Sequence, residues 1–195
     1  MLPSSILKRP LLLLEKKKNP PTAGIAWEVE LYFRTYSSPR LFVGSERPLI
    51  LIAFGDEAPR AGGAFAVDVA SGERRWRIST THELFALPTP LTPNADGQQP
   101  WVFSGRDGQL RAIDGDTGDE LWHFRPFGEE GRSAGFYNFY SGREFGDLNS
   151  DGVVDYLVTN GGDSQRTPSE SRPPGQLMVL SGVDGSIIHR LRVPD

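Results

Sequence analysis

Residues 147–155 read Asp-Leu-Asn-Ser-Asp-Gly-Val-Val-Asp, which sets Asp147, Asn149, Asp151 and Asp155 at loop positions 1, 3, 5 and 9. Side-chain oxygens at alternate positions of a tight loop can converge on one hard cation, and Ca²⁺ takes about six to eight oxygen ligands. Gly152 permits a sharp turn at position 6, and the Val153 carbonyl can supply position 7. An EF-hand would need Glu at position 12, where this chain has Val158, and it would need flanking helices. Tyr156-Leu-Val-Thr is β-prone instead. The pattern predicts a structural calcium site on a β-hairpin, with Asp147, Asn149, Asp151, Val153 and Asp155 as metal residues.

A weaker copy lies at Thr92–Pro100. It keeps Asn94, Asp96 and Gly97 but has no carboxylate at positions 1 and 9. Losing two charged ligands predicts a loop that no longer holds the ion. No other residue group suggests chemistry. The three His residues, His82, His123 and His189, stand near no Ser or carboxylate pair at a recognisable spacing. There is no nucleophile elbow, phosphate loop or paired-His metal motif. No catalytic and no organic-cofactor-binding residue is predicted.

The elements that must position the loop recur along the chain. Ala66–Trp76, Ala112–Trp122 and Val179–His189 align without gaps. Each has an apolar pair, a polar turn with glycine at one place (Gly72, Gly118, Gly185), and Trp76, Trp122 or His189 four residues later. Trp27 begins a similar stretch. Between these cores fall the β-prone runs 48–52, 100–104 and 155–159. In the second unit, strands are expected at 100–104, 109–114 and 120–125, with a weaker one in 81–91. The third unit is lengthened before its calcium loop and again by the polar loop Asp163–Pro174. Four short antiparallel strands every 45–50 residues or so is the period of a β-propeller blade. Each Trp is expected to pack between neighbouring blades, and His189 is expected to do the same.

Composition fits this all-β reading. Gly (22) and Pro (16) are plentiful and suit many turns, whereas Met is 2. The net charge of −4 argues against nucleic acid as the main partner, since phosphate binding needs a concentrated basic face. With Cys at 0 there is no disulfide, thiol nucleophile or Cys-ligated metal. No apolar run approaches the roughly 18 residues of a membrane span. Leu11–Leu14 is followed at once by Glu15-Lys16-Lys17-Lys18, too short an apolar stretch for a secretory signal. Residues 1–24 are expected to be a disordered leader.

Asp114-Gly-Asp-Thr-Gly-Asp-Glu-Leu-Trp122 resembles the repeat of the quinoprotein-type (PQQ-like) β-propeller family, apolar-apolar-Asp-x-x-Thr/Ser-Gly-x-x-x-Trp. The first unit matches with Ser71, while the third departs at Ser181 and His189. Phe145–Tyr156 resembles the calcium loop of FG-GAP, or integrin α-chain type, propeller repeats. The resemblance covers residues 25–195. It implies three four-stranded blades, over about 25–78, 79–125 and 126–195, in a partial or oligomer-closed propeller.

The resemblance also frames the function. It implies a non-catalytic, calcium-stabilised binding or scaffold module, extracytoplasmic in the envelope, periplasm or secreted space. A protein or glycan partner would be met through the propeller loops, with self-association as one way to close the ring. The aromatic run Phe136–Tyr140 reads as a strand or as a partner patch. The alternatives are part of a PQQ-dependent dehydrogenase, against which the lack of Cys and the small blade number argue, and an inactive fragment of a larger propeller.

Overall fold

The computed structural model describes residues 25–31, 33–44, 47–56, 61–81, 83–106, 108–125, 138–161 and 175–193. The expected leader, the polar loop at 163–174, His82, and Phe136 and Tyr137 of the aromatic run lie outside these residues. No helix occurs among the described residues.

The strands form three antiparallel sheets in chain order. The first is β1 (Arg40–Phe42), β2 (Leu49–Asp56), β3 (Ala61–Asp68) and β4 (Arg74–Thr80). The second is β5 (Thr89–Pro90), β6 (Pro100–Ser104), β7 (Leu110–Asp114) and β8 (Glu120–Phe124). The third joins β10 (Arg143–Glu144), β11 (Tyr156–Gly161), β12 (Gly175–Leu180) and β13 (Ile187–Val193), with β9 (Asn138–Phe139) pairing β11 as a fifth strand. That fifth strand departs from the expected four. It uses the described part of the aromatic run: Asn138 and Phe139 are buried, whereas Tyr140 is 41% exposed.

The repeat is visible in the register. Each sheet shifts register at one equivalent step, between Ala66 and Val67, Ala112 and Ile113, and Val179 and Leu180. A bulge there re-aims the strand just before the turn. The turn is then closed the same way three times. The amides of Asp68, Asp114 and Ser181 donate to the carbonyls of Glu73, Asp119 and Ser186 at 2.8–2.9 Å. The carbonyls of the same three residues accept from Gly72, Gly118 and Gly185. Asp114 Oδ1 also takes the amides of Asp116 and Thr117, at 2.8 and 2.9 Å, which is why an acid belongs there. Asp68 does likewise with Ala70 and Ser71, and the Ser71 amide is the main force holding its carboxyl below the usual aspartate value.

Apolar side chains join the sheets face to face. Leu51, Ala53, Ala64, Ala66 and Trp76 of the first sheet pack on Trp101, Phe103 and Ile113 of the second. Val102, Leu110, Ala112, Trp122 and Phe124 pack on Phe139, Tyr156, Val158, Met178 and Leu180 of the third. The outer face of the first sheet, with Phe54, Phe65 and Val67, is covered by Trp27, Val29, Leu31 and Phe33. Those four alternate with exposed Glu28 and Glu30, a strand-like period of two. Among the described residues the third sheet has no such cover on its far side, and His189 is exposed rather than packed between blades. Among the described residues nothing lies beyond it to pack on.

Candidate metal loop and blade junctions

The loop predicted to hold calcium joins β10 to β11. Its first three side-chain donors are gathered. Asp147 accepts the Asp151 amide through Oδ1 (3.1 Å) and the Gly152 amide through Oδ2 (2.9 Å). Asn149 Oδ1 also accepts from Asp151 N (3.2 Å), Asn149 Nδ2 donates to Asp151 Oδ2 (2.7 Å), and Asp151 Oδ1 takes the Val153 amide (2.9 Å). Ser150 adopts a left-handed φ of 61°, which completes the tight curl. The donors are hard oxygens, and a carboxylate holding an amide still has lone pairs for a cation. In this respect the residues fit calcium. They do not, however, form a converged group: among the described residues no three His, Cys, Asp or Glu side chains are gathered as a metal site.

Asp155 behaves differently from the other three. It is fully buried, and its Oδ2 takes the Leu148 amide at 2.6 Å. Its Oδ1 faces the amide of Gly182 at 3.4 Å. In the other two sheets the corresponding amides, Val69 and Gly115, donate to backbone carbonyls of Pro48 and Gln99 at 3.0 and 2.9 Å. The Asp155 carboxylate thus takes over a job the backbone does elsewhere, and it ties the loop to the next turn. The weaker loop at 92–100 closes on itself. Asn94 Oδ1 takes the amides of Asp96 and Gln98 at 3.1 and 2.9 Å.

The turn beside the loop is also where the sheets are fastened. Trp122 Nε1 donates to the Gly182 carbonyl at 2.9 Å, Trp76 Nε1 to Gly115 at 2.8 Å, and Trp27 Nε1 to Val69 at 2.8 Å. Each indole lies on the turn glycine of the following sheet. A Cβ at Gly72, Gly118 or Gly185 would meet Trp27, Trp76 or Trp122 at 2.6–2.7 Å. The Trp-to-Trp spacing and the Gly-to-Trp spacing therefore record one contact made three times.

Two further features escaped the sequence reading. Glu83 is 3% exposed and pairs with Arg106 (2.8 Å), whose guanidinium lies over Phe85. The two are 23 residues apart and belong to no motif, so no spacing marks them. His123 Nε2 lies 2.6 Å from Gln109 Oε1 and its Nδ1 3.3 Å from Arg111. Partial burial, then the Arg111 charge, pushes its pKa below the usual histidine value, against the pull of Glu120. Glu120 Oε1 lies 3.6 Å from the same Nδ1, so the group is a network on the strand surface.

Family comparison agrees with the repeat. The family model PQQ_2, described as outer membrane protein assembly factor BamB, matches residues 18–135 and 60–193. The chain belongs to the PQQ_2 family. A solved PQQ_2-like fold, the crystal structure of BamB from Moraxella catarrhalis, superposes with a TM-score of 0.52 at 14% identity, over 87% of this chain and 41% of that one. At that identity the likeness is one of fold. A curated relative, the serine/threonine-protein kinase AfsK of Streptomyces coelicolor, is 31% identical over 78 residues. That stretch is 40% of this chain and 9% of the kinase. The matched stretch thus covers less than half of either protein.

Proposed function

We propose that this chain is a non-catalytic, calcium-stabilised binding module of the β-propeller type that works in the cell envelope or outside the cell. Membership of a family described as an outer membrane assembly factor supports a protein-binding role in that compartment. The short stretch shared with a kinase supports the view that the common part is the module and not the enzyme. The partner class is protein or glycan, met through loops, and the net charge of −4 favours neither nucleic acid nor an acidic surface.

The observation that carries the calcium part is the Asp147–Asp155 loop. Asp147, Asn149 and Asp151 accept amides of later residues of the same loop, and a fourth side chain, the buried Asp155, faces the Gly182 amide. Asp147, Asn149, Asp151 and Asp155, with the Val153 carbonyl, would hold the ion. The ion would neutralise three carboxylates and pin the hairpin. Ligand that binds only the folded state stabilises by RT ln(1 + [Ca]/Kd), about 2.7 kcal/mol at a hundredfold excess over Kd. Melting curves in calcium and in chelator test this. The melting temperature should rise with calcium and fall back with chelator, and Asp147→Asn should remove the difference. Superimposable curves would refute the calcium reading.

A further inference from the structure

Arg74 and Arg77 stand on β4, where register sets them beside Val67 and Phe65. They share the face that the stretch from Trp27 to Phe33 covers. The Arg74 guanidinium lies over the Phe65 ring, 4.9 Å from its centroid, and that of Arg77 over Phe54, at 5.3 Å. Phe54 is itself stacked on Phe33, with centroids 6.1 Å apart. With Glu30 and Leu31 these side chains line a small open cleft. A guanidinium resting on a ring keeps its edge N–H groups for an acceptor. Here none is supplied. Arg74 Nε is buried without a hydrogen-bond partner. Among the described residues neither arginine forms an ion pair, although Glu30 stands at the mouth of the cleft.

The second sheet shows what such a group lacks. Phe65, Arg74 and Arg77 occupy the register places that Arg111, Glu120 and His123 hold there. In that sheet an acid closes the group. Glu120 Oε2 takes Arg111 Nη1 at 2.8 Å, and Glu120 Oε1 lies 3.6 Å from His123 Nδ1. The first sheet has Arg74 in the place of that acid. Two cations are left on the cleft, and a buried donor without an acceptor is costly.

We propose that this cleft binds a carboxylate of an incoming acidic peptide between Arg74 and Arg77. The site lies on the outer strand of the first sheet and depends on neither the calcium loop nor the propeller loops. A planar carboxylate matches the guanidinium fork, as Glu120 matches Arg111 in the second sheet. The apolar lining of Leu31, Phe54 and Phe65 suits an apolar side chain next to the acid. A sugar acid would bring hydroxyl groups that this lining leaves unsatisfied. The chain as a whole carries −4, so selection belongs to the cleft and not to an overall basic field.

The test is fluorescence anisotropy of a labelled peptide of alternating Glu and Leu, titrated with the full chain. The peptide should bind saturably, and its Gln counterpart about tenfold more weakly or worse, because hydrogen bonds to charged groups are the strong ones. Arg77→Gln, at an exposed position, should cost a similar factor and leave the melting temperature unmoved. Arg74→Glu restores the acid of the second sheet and should abolish binding, since the new carboxylate meets Arg77 inside the cleft. Arg75→Glu makes the same charge change outside the cleft and should alter affinity by no more than about twofold, a screened surface charge being weak. Equal affinity for the Glu and Gln peptides, equal losses in Arg74→Glu and Arg75→Glu, or no saturable binding would overturn the proposal. So would an oligogalacturonate that binds through Arg74 and Arg77 where the peptide does not, since that would give the cleft to an acidic glycan.

Discussion

Trp122 and Gly182 are 60 residues apart in sequence and share one hydrogen bond, indole N–H to backbone carbonyl, at 2.9 Å in a buried setting. Since that carbonyl is buried, removing the donor leaves it unpaired. Trp122→Phe should cost about 1–3 kcal/mol from that group alone. Trp76→Phe should cost a similar amount, its bond to Gly115 being equally buried, and Trp27→Phe less, because its bond to Val69 is only partly buried. Denaturant midpoints of the three variants check the order.

Gly118 and Gly97 have nearly the same φ, 81° and 79°, but different surroundings. A Cβ on Gly118 would meet Trp76 at 2.6 Å, whereas one on Gly97 would meet nothing within 4 Å. Gly97→Ala should therefore carry only the left-handed backbone cost, roughly 1–2 kcal/mol. Gly118→Ala should add about 1–3 kcal/mol of overpacking. Equal losses for the two variants would contradict the junction geometry.

Tyr156 is fully buried, and its phenol oxygen accepts the Gly142 amide at 3.0 Å. Burial pushes its pKa up to about 12. Tyr156→Phe should cost about 0.5–1.5 kcal/mol, because the bond it removes is only partly buried. In an alkaline spectrophotometric titration of the native protein, this phenol should be the one still protonated after the exposed tyrosines have ionised.

His123 gives a pH dependence of known sign. Its pKa is held below 6.5 in the folded chain, first by burial and then by Arg111, so the unfolded chain binds the proton more readily. The contribution to stability is therefore fully present above about pH 6.5 and is lost as pH falls from there through the folded value. His123→Gln should flatten the acid side of a urea-midpoint profile between about pH 7 and 5. A wild-type profile with the same slope as the variant would reject this.

Legibility from sequence followed the range of the interactions. The strands at 100–104 and 110–114 and the turns after Asp68 and Asp114 are set by neighbours a few residues away, and the residue types state them. The packing role of tryptophan was legible because the contact repeats. The acceptors were not, since Val69, Gly115 and Gly182 contribute backbone carbonyls, which no side chain advertises. His189 was misread for a similar reason: its position in the repeat is right, but a face can be filled only by something placed against it. In the loop at 147–155, the gathering of Asp147, Asn149 and Asp151 could be read from alternate spacing, whereas the tie from Asp155 to Gly182 crosses 27 residues. The Glu83–Arg106 pair was hidden because neither residue belongs to a repeat.

Among the described residues the first sheet is covered on both faces and the third on one, and this has a kinetic consequence. Each sheet touches only its neighbours, so opening need not be all-or-none along the stack. Unzipping should begin at β13 and travel inward. Amide exchange would then be graded, fastest along Ile187–Val193 and slowest in β2 and β3, and the chain would lose its structure from one end.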